Sequence, residues 1–258
     1  MIAELRENCR RLLEDGTVQA VIGWGANGYP VLVTATDDVE RLDWNDRCFS
    51  NLTVYLKRKE VRDLGRPAIF LKPCDERALV VLEQESQVER GAIQEIFVPC
   101  EGLGAAKCAK CDKAAKGGGA PAEDPLDALL AKTPAERMAF WKAEFSRCTK
   151  CYACRQVCPL CYCKRCVADK NRPTVIDTSA TLKGNFAWHI TRAFHLAARC
   201  AGCGECTRVC PAGIDLSLLN RTLARAAEEE FGYRAGVDRD APPLIGRFNV
   251  GDKEDFIR

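Results

Sequence analysis

Two segments of the sequence carry four cysteines at the same spacing, and this repeat constrains the fold more than any other feature. Both follow C-x2-C-x2-C-x3-C-P, with Cys148, Cys151, Cys154 and Cys158 in the first and Cys200, Cys203, Cys206 and Cys210 in the second. The 258-residue chain has 17 cysteines, and eleven of them lie in residues 148–210. The charged N-terminal segment lacks the apolar stretch of a signal peptide, so we expect a cytoplasmic protein with reduced thiols.

The repeated spacing predicts two 4Fe-4S clusters. Three cysteines separated by two residues each can bind three irons of one cluster, while the fourth, followed by proline, turns away and binds the other cluster. Cluster A is therefore assigned to Cys148, Cys151, Cys154 and Cys210, and cluster B to Cys200, Cys203, Cys206 and Cys158. Structural zinc is the alternative, but zinc sites take two pairs of ligands rather than a three-plus-one pattern present twice.

A long connector with a helical run lies between the two motifs. Residues 125–145 and 185–199 have helical spacing, the second of these runs leads into the second motif, and another helical run, 216–231, follows that motif. The stretch 199–214 and the matching first motif resemble the α-helical ferredoxin domains of heterodisulfide reductase small subunits and of fumarate reductase iron-sulfur subunits. The resemblance implies a domain that passes electrons inside a larger complex.

Three further cysteines directly follow the first motif, at Cys161, Cys163 and Cys166. They are candidates for three ligands of an additional cluster, with Cys48 or Cys9 as the fourth. The alternative is that they are packing thiols, because free cysteine is among the most buried residue types.

His189 and His195 lie six residues apart, off the i, i+4 spacing of a helical metal pair, and are predicted to be ordinary helix residues.

The N-terminal part has the pattern of an α/β domain. A helical run covers 2–13, and a second helix, 75–85, lies between two short apolar strands. The predicted strands are 18–22, 31–36, 68–71 and 93–98. Strand, helix and strand in this order indicate a parallel βαβ unit.

The segment 23–28 matches the G-x-G-x-x-G nucleotide fingerprint. Strand-like residues follow it where the fingerprint needs a helix, so the segment is predicted to be a hairpin turn.

Four cysteines of this part predict a third cluster. Cys74 follows one strand and Cys100 ends the next, and the carboxyl ends of adjacent parallel strands meet at one crevice. Cys108 and Cys111 form a C-x2-C pair shortly afterwards. These residues resemble the β-subunit family of deazaflavin-coenzyme-reducing hydrogenases and formate dehydrogenases, and the resemblance implies that Cys74, Cys100, Cys108 and Cys111 bind one 4Fe-4S cluster (cluster C). Zinc is again the alternative.

The sequence therefore predicts an α+β protein: an N-terminal α/β domain with a small, largely parallel sheet, followed by an α-helical ferredoxin domain with two 4Fe-4S clusters. The predicted divisions are a domain at 1–112, a flexible Gly- and Pro-rich linker at 113–125, the ferredoxin domain at 126–231 and an extended tail at 232–258. Flavin-binding members of the β-subunit family continue with a longer α/β segment beyond the C-x2-C pair. This chain continues with the linker, so we do not expect FAD.

The cluster motifs predict an electron-transfer subunit, and the resemblances imply that it belongs to an anaerobic oxidoreductase complex similar to heterodisulfide reductases, hydrogenases or formate dehydrogenases. Other redox subunits are the expected partners. The net charge of +2 gives no basic footprint for a nucleic-acid partner, and no apolar run is long enough to enter a membrane. The sequence shows no nucleophile and base arrangement that would indicate substrate chemistry. The alternative function is a flavin-bearing β subunit that itself oxidises or reduces a soluble hydride carrier.

Overall fold

The computed structural model describes residues 1–100, 102–103, 124–168, 173, 176–245 and 250–251. Cys108, Cys111 and nearly all of the predicted linker lie outside these residues. The described strands are β1 (Ala20–Trp24), β2 (Pro30–Val33), β3 (Pro67–Leu71) and β4 (Gln94–Phe97). The described α-helices are α1 (Ile2–Glu14), α2 (Lys59–Arg62), α3 (Pro73–Gln84), α4 (Pro125–Leu130), α5 (Pro134–Ser146), α6 (Ala153–Gln156), α7 (Leu182–His195), α8 (Glu205–Arg208) and α9 (Leu216–Phe231).

The four strands form one mixed sheet in the order β2-β1-β3-β4. Strand β1 pairs antiparallel with β2 and parallel with β3, and β3 pairs parallel with β4. The two central strands, β1 and β3, are buried along their whole length, as expected for apolar strands covered on both faces. The small, largely parallel sheet and the helical second half confirm the predicted α+β class.

The glycine-rich segment between β1 and β2 is a hairpin turn, as predicted. Trp24 pairs with Pro30 at its base, and the Gly28 amide donates a hydrogen bond to the Gly25 carbonyl oxygen (2.8 Å). Gly28 has a φ of +77°, and a Cβ atom there would lie 2.3 Å from the carbonyl oxygen of Arg47. Only glycine fits this position, because both the backbone conformation and the space exclude a side chain.

The second half has its own apolar core and no strand among its described residues. Trp141 and Phe145 of α5 pack with Trp188 of α7 and with Ile214. The helical run predicted from Pro125 to Phe145 is two helices, α4 and α5. The break occurs because Pro134 cannot continue a preceding helix, while Thr133 and Glu136 form a reciprocal capping box that starts α5.

The two halves share contacts that fix their relative position. Leu160, Leu196, Ala201 and Ala235, all from the second half, are buried in the core of the N-terminal sheet. The described part of the C-terminal tail runs along α3 and β4. There Arg77 donates to the carbonyl oxygen of Ala235 (3.0 Å), and other contacts join Gln84 to Ala241 and Arg239 to Glu95. Within the described residues, no helix is long and apolar enough to cross a membrane.

Candidate iron-sulfur centres

The first four-cysteine site, site A, is a cavity of about 20 Å³ lined by the proposed ligands of cluster A: Cys148, Cys151, Cys154 and Cys210. Two left-handed residues bend the first motif around it, Lys150 (φ 54°) and Tyr152 (φ 60°). The second of them begins α6, whose first turn carries Cys154. The amide of Lys150 points back and donates to the Cys148 sulfur at 3.4 Å.

The second site, site B, is another cavity of about 20 Å³, and the proposed ligands of cluster B line it: Cys158, Cys200, Cys203 and Cys206. Its loop uses the same bend as the first motif, since Gly202 (φ 71°) and Gly204 (φ 70°) occupy the positions equivalent to Lys150 and Tyr152. In both cavities, therefore, three cysteines come from one motif and the fourth from the other. This is the crossed arrangement that the spacing predicts.

Two short helices bring the sites together. Helix α6 carries Cys154 of site A and is followed by Cys158 of site B. Helix α8 carries Cys206 of site B and is followed by Cys210 of site A. The two helices pack against each other, so each site is closed by a cysteine at the end of the other site's helix.

The chemistry of the thiols fits a polynuclear iron-sulfur group. Burial raises the pKa of Cys154 to about 11 and that of Cys206 to about 12, so these thiols ionise at neutral pH only with a strong positive partner such as bound iron. Within the described residues, no group of three or more His, Cys, Asp or Glu side chains could hold a single metal ion. The four thiols of each site instead surround a cavity, and none of them forms a disulfide.

A buried arginine, Arg192 on α7, lies among the cysteines of both sites. Its Nη2 donates to the carbonyl oxygen of Cys154 (3.1 Å), and its charge opposes the burial-driven rise in the pKa of Cys154 and Cys206. Burial and the neighbouring thiols act on the pKa of Arg192 in opposite directions, with a net rise, so its guanidinium stays charged. Arg192 thus supplies a fixed positive charge to both sites.

His189 is buried beside site A. Its ring stacks on Phe145 at 4.4 Å between centroids and meets Trp188 edge-on. Burial, with the nearby charges of Arg192 and Lys150, lowers the pKa of His189 to about 3, so the ring is neutral at pH 7. Its Nε2 has no hydrogen-bond partner among the described residues. A buried nitrogen of this kind suits a cavity that holds a group with sulfur acceptors.

Asn220 of α9 takes a similar place at site B. Its amide nitrogen lies 3.7 Å from the Cys206 sulfur, and its Oδ1 has no partner within the described part of the chain. Neither Arg192 nor Asn220 is predicted from the sequence as a site residue, and His189 is predicted to be an ordinary helix residue. A usable signal was present on α7: Asn185, His189 and Arg192 follow i, i+4, i+7 spacing and place polar groups on the buried face of that helix.

The described half of the proposed cluster C site lies at the predicted sheet edge. Cys74 follows β3 in the first turn of α3, and Cys100 follows β4. Both line a cavity of about 240 Å³ that also borders Cys200 and Cys203 of site B. The turn before Cys74 is held by buried Lys72, which pairs with the Asp75 carboxylate at 2.7 Å. Cys108 and Cys111 lie outside the described residues.

The remaining cysteines separate into two groups. Cys161, Cys163 and Cys166 line a fourth cavity, of about 60 Å³. Cys48 and Cys9 do not line it, because both are fully buried in the N-terminal core. The Cys48 sulfur accepts a hydrogen bond from the Asn45 amide (3.4 Å), and burial raises the pKa of Cys9 to about 12. Neither of the two candidates for a fourth cysteine ligand therefore lines the cavity that the three neighbouring thiols share.

Comparisons with known proteins agree with the geometry. Residues 144–214 match a family described as a 4Fe-4S dicluster domain. The chain is 34% identical over 111 residues to the F420-dependent formate dehydrogenase subunit beta of Methanocaldococcus jannaschii, covering 43% of this chain and 28% of that protein. It is 35% identical over 106 residues to the F420-dependent formate dehydrogenase 1 subunit beta of Methanococcus maripaludis, covering 41% of this chain and 27% of that protein.

The aligned region thus spans little more than a quarter of the length of these relatives. The match to the dicluster domain contains all eight cysteines of sites A and B. Together, the comparisons identify the chain as a fusion of a region similar to formate dehydrogenase β subunits with a 4Fe-4S ferredoxin domain.

Proposed function

We propose that the chain is an iron-sulfur electron-transfer subunit of a formate dehydrogenase-like complex. The observation that carries the proposal is the pair of four-thiol cavities, each completed by a cysteine from the other motif. Bound 4Fe-4S clusters would supply one-electron transfer, and their potentials would respond to charge, hydrogen bonds to sulfur and solvent exposure. The relatives' names support the type of complex.

The protein's own contribution is to hold two centres at a fixed short separation. Cys154 lies in α6 and Cys158 comes two residues after its end, and Cys206 and Cys210 are related in the same way through α8. Asn185 of α7 holds the start of the first motif in place by donating to the carbonyl oxygens of Phe145 (2.9 Å) and Cys148 (2.8 Å). Because these contacts are buried, the two sites keep their spacing when a partner docks.

A third centre would extend the series into the N-terminal half. The proposed ligands of this site, site C, are Cys74, Cys100, Cys108 and Cys111. The 240 Å³ cavity supports this placement, since Cys74 and Cys100 face it together with Cys200 and Cys203. The order of centres along the protein would then be A, B, C, with site B in the middle and other redox subunits docking at the two ends.

The proposal is tested on the native complex, purified anaerobically by a tag on this chain. Formate is added, and the EPR spectrum of the chain's clusters is recorded alongside a sample reduced with dithionite. We expect formate to reduce the clusters of sites A and B in wild type and in a Cys9→Ser control, which alters a buried thiol outside the proposed sites. Clusters that dithionite reduces but formate leaves oxidised would contradict a role in formate-derived electron transfer.

A further inference from the structure

The fourth cavity has the composition of a metal site. Three thiols face it, from Cys161, Cys163 and Cys166, and its volume of about 60 Å³ is larger than that of either site A or site B. None of the three cysteines forms a disulfide. Soft thiolates grouped around one cavity select zinc, copper(I) or iron-sulfur clusters.

A fourth donor comes from α7 rather than from a cysteine. One face of this helix and the turn after it line the cavity, and His195, in the last turn, belongs to that face. His195 is exposed, so its ring can turn toward the thiols without losing a buried contact. Cys48 and Cys9 are fully buried elsewhere, which leaves His195 as the lining residue with a donor type that completes a four-ligand set.

Positive charge surrounds the same cavity. Three arginine side chains belong to its lining, Arg155, Arg192 and Arg199. Arg155 also donates to the carbonyl oxygen of Cys163 (3.3 Å), which holds the loop against the cavity. Cations at this position offset the negative charge of an iron-sulfur cluster.

The loop that carries the thiols is anchored to both halves of the protein. Lys57 donates to the carbonyl oxygens of Cys158 and Cys161, both at 2.9 Å. The buried Glu85 carboxylate at the end of α3 pairs with Arg199 and accepts a hydrogen bond from the Tyr162 hydroxyl. Buried contacts outside a ligand set orient the ligands, so this loop is prepared for binding.

We propose that Cys161, Cys163, Cys166 and His195 bind a further 4Fe-4S cluster, site D. Site D adjoins site B, since Cys161 is three residues after Cys158, a proposed ligand of site B. Arg192 lines the cavity of site D, and its charge also acts on Cys158. It also reaches the surface, because Cys163 is exposed. A centre in this position would exchange electrons between site B and a docked partner. The inference rests on the proposed function only in treating the chain as an iron-sulfur protein.

The test compares iron, zinc and acid-labile sulfide per chain after anaerobic purification. Variants are the full-length Cys163→Ser/Cys166→Ser protein and a matched Cys9→Ser/Cys48→Ser control, which removes two buried thiols outside the site. We expect the first variant to lose about four irons per chain while keeping the roughly twelve irons of sites A, B and C. The control should keep the wild-type iron content. Equal iron in all three proteins, or loss of one zinc instead of iron, would overturn site D.

The histidine is tested by pulsed EPR of the reduced protein. We expect a strongly coupled ¹⁴N signal in wild type that disappears in His195→Cys, while His195→Cys keeps the wild-type iron content. A wild-type cluster at Cys163 and Cys166 without nitrogen coupling would overturn the assignment of His195. Fewer than about eight irons in wild type would instead contradict the proposed function, so the two failures are distinguishable.

Discussion

Sites A and B share their cysteine spacing, their cavity size and the backbone bend of their loops, yet their surroundings differ. Site A has an exposed ligand, Cys151, whereas every ligand of site B is at least partly buried. The bend at site A uses Lys150 and Tyr152 in left-handed conformations, and at site B it uses two glycines. The cysteine pattern therefore sets the ligand geometry, and the residues between the cysteines set the environment.

The charged side chains near the two sites also differ, with a lysine at site A and a buried carboxylate at site B. Lys150 lines site A, and its Nζ donates to the carbonyl oxygen of Asp177 (2.9 Å). At site B, the carboxylate of Glu205 is fully buried, pairs with Arg208 at 2.7 Å, and adds to the burial that raises the pKa of Cys203. Positive charge and exposure both favour the reduced cluster, so we expect site A to have the higher midpoint potential.

The largest effect is expected from Arg192, because it serves both sites. Replacing it with methionine should lower both potentials by on the order of 100 mV, since unit charges about 4 Å apart interact by about 4 kcal/mol at an effective dielectric of about 20 and 100 mV corresponds to about 2.3 kcal/mol. Redox titration followed by EPR measures the shift. Arg192→Lys is the matched control and should retain most of the potential. A shift at one site alone would show that Arg192 is not shared.

The next effect concerns cluster loss. Because Cys151 is exposed and the ligands of site B are more deeply placed, a ferrous chelator in the presence of oxygen should remove iron from site A first. We expect two phases, with the faster about tenfold quicker, which equals a difference of about 1.4 kcal/mol in the barrier. Absorbance of the iron chelate gives the rates, and EPR of quenched samples identifies the lost cluster. Simultaneous loss would mean that exposure does not distinguish the sites.

Removing a polar side chain beside one cavity should change the midpoint potential of that site alone. His189→Leu should lower the potential of site A by about 40 mV, and Asn220→Leu should do the same at site B. Asn220 donates to the Cys206 sulfur and the unpartnered Nε2 of His189 would donate to a bound cluster, and one such hydrogen bond is worth about 1 kcal/mol. Each variant is the control for the other, and both are followed by EPR redox titration. Equal shifts of both sites in either variant would contradict the proposed local contacts.

The smallest effect is expected on stability, from the left-handed Gly202 in the site B loop. Gly202 is left-handed, and a Cβ atom there would meet nothing within 4 Å, so Gly202→Ala tests the backbone conformation alone. We expect a loss of stability of about 1 kcal/mol, seen as a lower melting temperature of the cluster-loaded protein. Gly16→Ala, also left-handed and open but at a residue that lines none of the cysteine cavities, is the matched control for the general cost. A much larger loss at Gly202 would show that the loop is strained by its cysteines.

Much of this architecture could be predicted because it is local in sequence. The C-x2-C-x2-C-x3-C-P spacing determines which thiols meet, and the carboxyl ends of β3 and β4 bring Cys74 and Cys100 together. The break between α4 and α5 is also predictable, since Thr133 and Pro134 form a helix start inside the helical run 125–145.

The rest depends on packing between distant segments. The spacing of Arg192 and His189 indicates a buried polar face of α7, but the cysteines around them come from both motifs and meet only in the folded chain. Cys48 lies in the N-terminal core and does not line the cavity that Cys161 lines, and only the folded chain shows this. The position of the tail against α3 likewise depends on long-range contacts such as that of Arg77 with Ala235.

The most direct test of the account asks which cysteines share a cluster. EPR spectra of the reduced Cys151→Ser, Cys158→Ser, Cys203→Ser and Cys210→Ser proteins are compared under identical anaerobic conditions. The crossed arrangement predicts that Cys158→Ser perturbs the same signal as Cys203→Ser, and that Cys210→Ser perturbs the same signal as Cys151→Ser. If Cys158→Ser instead matches Cys151→Ser, each motif binds its own cluster and the account is wrong.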